Sequence, residues 1–268
     1  MLKDITLGQY FPGNSPIHRL DPRTKLLVLV GYIVALFMAV NWVSYALMLV
    51  FLISCILISK IPGKSFINGM KPLVMILVFT GFLNLFFTTG DKPLVDFWII
   101  TIYPEGIVRA IFMVLRILML ITATFLLTYT TSPIALTDGL ESLLGPLKVI
   151  KVPVHELSMM MCIALRFIPT LIEETDKIMS AQKARGADFE SGKLMQRVKA
   201  LVPILVPLFI GAFRRADELA TAMECRCYHG GDGRTKMKLL RYKRGDLLAY
   251  GIILSVIIGV FLLRSFGL

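Results

Sequence analysis

From residue 43 to residue 59 the chain carries no charged side chain, three further runs share that character, and a fourth is apolar apart from Arg109 and Arg116. A backbone that crosses lipid must satisfy every N–H and C=O internally, which leaves α-helices or a closed β-barrel. Unbroken apolar runs, rather than strict alternation of apolar and polar residues, select the helix. Five spans follow, at residues 26–40, 43–59, 72–89, 106–129 and 247–263. Roughly 20 apolar residues cross a bilayer core, so the two short first spans are expected to lengthen by a turn or to sit in locally thinned bilayer. Asn41 and Trp42 break the first pair with an interfacial aromatic, and residues 60–64 close the hairpin. Pro72 opens the third span, where a helix accepts proline, and a polar loop at 90–105 precedes the fourth. The fold class is therefore an all-α integral membrane protein. It has about five transmembrane helices, or five to eight if embedded helices are counted, and long helices on the cytoplasmic side.

Composition agrees: 56% hydrophobic and 18% charged residues exclude an ordinary soluble domain. The net charge of +11 is spread between the spans instead of gathered with aromatic residues on one soluble face, so nucleic acid is not the expected partner. Membrane topology accounts for it. Lys3, Arg19, Arg23 and Lys25 precede the first span and Lys60, Lys64 and Lys71 fill the second loop, whereas the first loop has no basic residue and the third only Lys92. That asymmetry places the N-terminus in the cytoplasm. The first 25 residues lack the basic-then-apolar order of a signal peptide, so the first span is expected to stay. Cys55, Cys162, Cys225 and Cys227 form neither a disulfide framework nor paired zinc-type spacing, which fits a reducing compartment. The organisation is an arm (1–25), four spans (26–130), a cytoplasmic working domain (131–245) and a last span (246–268).

The working domain holds 18 of the 29 basic and 12 of the 18 acidic residues. A short helix is expected over 133–144, capped by Ser132 and ended by Pro146. Two long helices follow, at about 155–185 and 194–227. Each runs apolar, turns polar and stops on a small-Arg-small triplet: Ala184-Arg185-Gly186 and Cys225-Arg226-Cys227. Setting Arg185 against Arg226 aligns Asp176 with Asp217 and Ala181 with Ala222, a weak internal repeat. Pro169 is expected to bend the first helix. A short connection returns the chain antiparallel and sets the arginines at opposite ends. Two similar plugs so disposed suit grooves on two paired subunits. The planar guanidinium makes several hydrogen bonds, and small neighbours permit close approach.

Other features read more plainly. A single arginine at a helix C-terminus commonly serves only the helix dipole, whereas two in register with paralleled flanks point to function. Cys225, Cys227 and His229 lack a fourth ligand, so packed thiols are expected and no metal site. The methionines at 159–161 fit either ordinary core or a face that accepts several partners. Arg116 lies deep in the fourth span and is expected to pair with Glu141 or Glu156 as structural glue, while Arg109 snorkels. Residues 230–236 are glycine-rich and basic, yet the chain contains no phosphate-binding G-x-x-x-x-G-K-[ST] pattern. Glu173-Glu174 before Lys177 resembles intramembrane abortive-infection-type proteases, but the later membrane histidines of that chemistry are missing. A self-contained secondary transporter would need polar breaks at the midplane of corresponding repeats, and only Asn84 and the Arg116 region approach that.

Over nearly its whole length the chain resembles the transmembrane T components of energy-coupling factor (ECF) ABC-type transporters, of the shared-module kind. The resemblance rests on residues 15–25 (SPIHRLDPRTK), residues 164–169 (ALRFIP), both arginine triplets and the tail 228–236 (YHGGDGRTK). It departs at Cys225-Arg226-Cys227, where members often carry Ala-Arg-Gly, which leaves the stop of that helix less defined. The resemblance implies a non-catalytic subunit of a prokaryotic cell membrane. Arg185 and Arg226, with their small neighbours, would dock into two cytoplasmic ABC-type ATPases of the EcfA and EcfA-prime types, as a heterodimer. ATP and Mg would belong to those partners, with no cofactor in this chain. The apolar faces, including Met160, Met161, Leu165, Ile168, Leu205 and Phe209, would hold a separate substrate-binding membrane S component for a vitamin or other micronutrient. Arg116 and Arg166 would be structural intramembrane charges, and membrane lipid would surround the rest.

Overall fold

A computed structural model of the chain describes residues 10–87, 95–97, 100–187, 189, 194–231 and 239–265. Nine α-helices occur among the described residues: α1 Pro22–Met38, α2 Trp42–Ser59, α3 Gly63–Met70, α4 Val74–Phe87, α5 Pro104–Thr130, α6 Pro133–Leu144, α7 Val154–Ala184, α8 Leu194–Glu224 and α9 Arg244–Ser265. The protein is an all-α membrane protein; the loop after α4 adds one short antiparallel pair, β1 Val95–Phe97 and β2 Ile100–Ile102, with Val95 opposite Ile102. Pro104 opens α5 and Pro133 opens α6, both in the first turn, where the missing N–H is not needed. Ser132 Oγ accepts the Ala135 N–H and caps α6 as expected. The chain divides into two compact units, one built from Gly8–Gly139 with Leu240–Leu268 and the other from Leu140–Leu239.

Among the described residues five helices are long and apolar enough to cross a membrane: α2, the stretch Gly63–Phe87, α5, α7 and α9. Four of these are expected spans and α7 is an addition. The fifth expected span, α1, has 17 residues and is about 25 Å long, slightly short of a full bilayer core. The N-terminus of α1 does gain the expected turn, since the helix begins at Pro22 rather than residue 26. The third span begins at Gly63 rather than Pro72, because a 3-10 turn at Lys71–Leu73 lets α3 run on into α4.

The core of the first unit is apolar and centred on α1. Tyr32, Ala35 and Leu36 of α1 meet Met48 and Leu52 of α2, Met119 of α5 and Ile253 and Val260 of α9, all buried. Cations tie α1 to α5 at two points. The Lys25 ammonium donates to Thr130 O at the end of α5 (2.8 Å). In return, Arg116 Nη2 of α5 donates to Ala39 O at the end of α1 (3.2 Å). Fourteen residues separate the tie points on either helix, so the pair is antiparallel and pinned at both ends. Each cation also sits where the helix dipole favours positive charge. Arg116 Nε further donates to Tyr45 Oη (2.9 Å), and the guanidinium lies over the Phe37 ring. This corrects the expected pairing of Arg116 with Glu141 or Glu156: the helix-end carbonyl and the phenol take its donors, and Glu141 instead pairs with His155 (3.1 Å).

The arm and α9 close the same end of the bundle. Asp246, 1% exposed, accepts the Asp21 N–H on Oδ1 (2.8 Å) and the Lys243 N–H on Oδ2 (2.7 Å). One carboxylate thus serves the N-terminal ends of both α1 and α9, where negative charge is favoured. Asp21 caps α1 through the Arg23 N–H, and the Arg23 guanidinium bridges Asp21 and lies 4.0 Å from the Tyr242 ring centre. Upstream, His18 Nε2–H donates to Phe11 O (3.0 Å) and the Ser15 hydroxyl donates to Nδ1 (2.7 Å). That tautomer follows from Phe11 O being an acceptor only. The Phe11 N–H bonds Tyr129 O (3.0 Å). The motif at residues 15–25 is therefore a buckle over the bundle end.

Two outcomes follow. Asp246→Ala, which orphans two backbone donors held by a charged acceptor, should lower the stability of the detergent-solubilised chain by about 2–4 kcal/mol in denaturant melts. Burial, aided by the Lys25 charge and opposed by the bond to Phe11, holds the His18 pKa below 6.5. The folded arm prefers neutral imidazole, so its contribution is whole above pH 6.5 and is lost as pH falls through the folded value. Amide exchange of residues 11–19, corrected for intrinsic rates, should quicken from pH 7.5 to pH 5, and His18→Gln should remove that dependence.

Candidate functional site

Two helices dominate the second unit. Both α7 and α8 are 31 residues long, hence about 46 Å, and both continue through internal prolines, Pro169 in one and Pro203 and Pro207 in the other. Their ends are built alike. In α7 the Ala187 N–H bonds Gln182 O (3.0 Å) and the Gly186 N–H bonds Lys183 O (3.0 Å), with Gly186 at φ +86°. In α8 the Tyr228 N–H bonds Met223 O (3.0 Å) and the Cys227 N–H bonds Glu224 O (2.8 Å), with Cys227 at φ 55°. Each is a Schellman turn, with the left-handed residue one position past the cap. Arg185 and Arg226 occupy the same place in it, the cap itself. The missing glycine at position 227 leaves the helix stop intact; Cys227 adopts the left-handed conformation against its intrinsic preference.

These turns satisfy the last carbonyls with backbone N–H groups, so the arginine side chains are not spent on capping. Both are exposed, as are Ala184, Gly186, Cys225 and Cys227. Among the described residues neither guanidinium makes a hydrogen bond or an ion pair. The exposed, free thiols correct the expectation that Cys225 and Cys227 pack inside: they flank a helix tip that no described residue covers. Tyr228 to Gly231 turn back toward the start of α7, where Gly231 lies against the His155 ring. Residues 232–236 of the tail lie outside the described residues.

The helices meet where the repeat says they should. Arg215 of α8 pairs with Glu174 of α7, and 41 residues separate them, which is also the offset that aligns Arg185 with Arg226. Equivalent points of the two repeats are therefore in contact, as at a local twofold axis. Gly211 lets Glu174 approach, since a Cβ there would lie 3.1 Å from Glu174 Oε1. Both tips lie eleven residues beyond the crossing, equal arms of about 16 Å, which keeps the helix ends within roughly 35 Å of each other. Eleven residues are close to three turns, so each arginine stands nearly in line with the paired residue on its own helix. The sequence reading missed this pair. The signal was available: the 41-residue shift sets Glu173-Glu174 opposite Arg214-Arg215, and like charges could not meet at such an axis.

The residues read as partner-facing are spread along the exposed faces. Met160 and Met161 of α7 and Leu205 and Phe209 of α8 are exposed, with Leu165 and Ile168 half-buried. Of α8's apolar side chains Ile204 is buried, whereas Leu201, Val202, Val206, Ile210 and Phe213 are exposed. Arg166 is exposed on α7. Alongside the crossing runs a groove of about 340 Å³ lined by Ile163, Phe167, Leu171, Ala212, Leu219 and other α8 residues. Arg215 Nη1 is buried beside it with no hydrogen-bond partner.

Cys227→Gly removes the left-handed penalty and should stabilise the end of α8 by roughly 0.5–1 kcal/mol, seen as slower amide exchange at residues 226–229. Glu174→Arg or Arg215→Glu alone should destabilise the chain by about 1–3 kcal/mol, and the double reversal should recover most of it. Simple additivity of the two would mean that the crossing is not held there.

A family described as cobalt transport protein, CbiQ, matches residues 13–237. The chain is 57% identical over 249 residues to the energy-coupling factor transporter transmembrane protein EcfT of Thermosediminibacter oceani, covering 93% of this chain and 94% of that one. It is 56% identical over 250 residues to the protein of that name in Clostridium kluyveri, 93% of each chain. The Bacillus subtilis protein of the same name is 48% identical over 258 residues, 96% of each. With the span set, the motif buckle and the paired arginine tips already in view, the chain belongs to this family of energy-coupling factor transporter transmembrane proteins.

Proposed function

We propose that this transport component couples ATP hydrolysis by two cytoplasmic ABC-type ATPases to uptake of a vitamin or other micronutrient bound by a separate membrane S component. The carrying observation is the pair of identical exposed tips, each an unspent arginine on a Schellman turn at the end of an equal arm. Two copies of one plug suit two similar sockets, and ATPases of the EcfA and EcfA-prime types, paired as a heterodimer, supply them. Small residues at 184, 186, 225 and 227 let the backbone approach the socket, while the planar guanidinium bonds carboxylates or carbonyls within it. The chain itself is non-catalytic, and ATP and Mg are held by the partners. Its N-terminus lies in the cytoplasm of a prokaryotic cell, as the lysine and arginine distribution requires.

The mechanism follows from leverage. Movement of the ATPases toward each other draws the tips together, and the crossing at Glu174 and Arg215 turns that into a change of angle between α7 and α8. The S component rests on the apolar faces near Met160, Met161, Leu165, Ile168, Leu205 and Phe209, whose flexible methionines fit several such partners. Changing the angle tilts or releases it.

Arg185→Ala with Arg226→Ala should leave the chain inserted at normal abundance, weaken co-purification of both ATPases at least tenfold and abolish uptake. Uptake at the unmodified rate by that double variant, or transport by the chain purified alone, overturns the reading.

A further inference from the structure

We propose that the first unit holds one anionic phospholipid, with an acyl chain in the groove between α1, α2, α5 and α9 and its phosphate beside Arg19 and Lys243. Two cavities carry this. The first, about 330 Å³, is lined almost wholly by apolar groups, among them Leu29, Phe51, Leu52, Ile58, Leu126 and Leu248. The second, about 320 Å³, is also mostly apolar but carries Asn14, Arg19, Lys243 and Asp246 on its walls. Pro16, Leu20 and Gly245 border both, so the two adjoin. An apolar slot beside a mouth bearing two exposed cations, at the end of a helix bundle, suits an amphiphile. Chain burial in the slot and charge at the mouth are the two terms by which membranes' anionic lipids bind proteins.

Charge decides the headgroup. Arg19 and Lys243 are both exposed at the mouth. Asp246 also borders it, but this carboxylate is 1% exposed and both its oxygens accept backbone N–H groups. At the junction, Lys25 lines the slot and is 8% exposed. Its ammonium donates to three neutral oxygens, His18 O, Thr130 O and Thr131 Oγ1. Burial disfavours the charged form of a lysine, and an anion nearby offsets that cost without needing a further hydrogen bond. A zwitterionic lipid would set its own cation against Arg19 and Lys243. A free phosphate would leave the slot unfilled.

The test reads lipid retention by the full chain, independent of transport or ATPase docking. The detergent-purified protein is mixed with equal amounts of phosphatidylglycerol and phosphatidylcholine of matched chain length and examined by native mass spectrometry. One phosphatidylglycerol should be retained per chain, about fivefold or more over phosphatidylcholine. Arg19→Gln with Lys243→Gln should bring that ratio to about one. Ala249→Phe should abolish retention of both lipids by filling the slot. Leu248, 67% exposed on its wall, gives a second filling variant, Leu248→Trp, should the first not fold. Equal retention by the unmodified chain, or an unchanged ratio in the charge variant, overturns the headgroup assignment. Undiminished retention in a folded filling variant overturns the slot. Inorganic phosphate that raises thermal stability as much as phosphatidylglycerol does would place a free anion there and sink the lipid.

Discussion

A helix leaves its last carbonyls without partners inside the helix, and where the end is packed away from water another group must supply them. The whole structure depends on how those ends are satisfied, and the protein uses two solutions. In the bundle unit a cation from a neighbouring helix reaches across: Lys25 to the end of α5, Arg116 to the end of α1. In the second unit α7 and α8 close on themselves with Schellman turns. The difference has a functional edge. Reaching across consumes a charged side chain to fasten two helices, whereas self-closure leaves Arg185 and Arg226 with all their donors for another molecule.

The internal repeat gains physical meaning at the crossing. Two copies of one helix that meet at equivalent points bring each residue onto its own counterpart, so identical charges would face one another. The chain avoids this by putting glutamates at 173 and 174 of one copy and arginines at 214 and 215 of the other. The copies thus differ where they touch and agree where they end. The copies diverge at the contact and keep the tip geometry, down to the left-handed residue after each arginine.

Much of this was legible in the chain. Hydropathy located α2, α5 and α9 to within a few residues, because apolar runs of about bilayer-crossing length admit little else. The caps were legible at α6, where Ser132 and Pro133 carry the local rule themselves. Legibility failed where partners are distant in sequence. Arg116 was assigned a carboxylate because an intramembrane charge suggests one, yet a carbonyl 77 residues away serves it. Asp246, the acceptor for α1 and α9, lies 225 residues from Asp21, and no local pattern announces that. At the candidate site the arginine tips were visible from their triplets, but the exposure of Cys225 and Cys227 was not. Cysteine composition favours burial, while position at a bare helix end decides otherwise.

The two units also differ in how firmly their helices are fixed, and this bears on which one can move. Between α1 and α5 the ties at Lys25 and Arg116 are separated by fourteen residues, about 21 Å, so rotating one helix against the other must break one of them. Between α7 and α8 the tie of Glu174 to Arg215 has side chains about one quarter exposed, 26% and 28%. A pair in that much solvent holds weakly, on the order of 1 kcal/mol or less, and the side chains beside it are small: Gly211, Ala212 and Ala216. One pin of modest strength marks where the two helices meet. A bundle pinned twice and a pair pinned once differ in the freedom each leaves its helices.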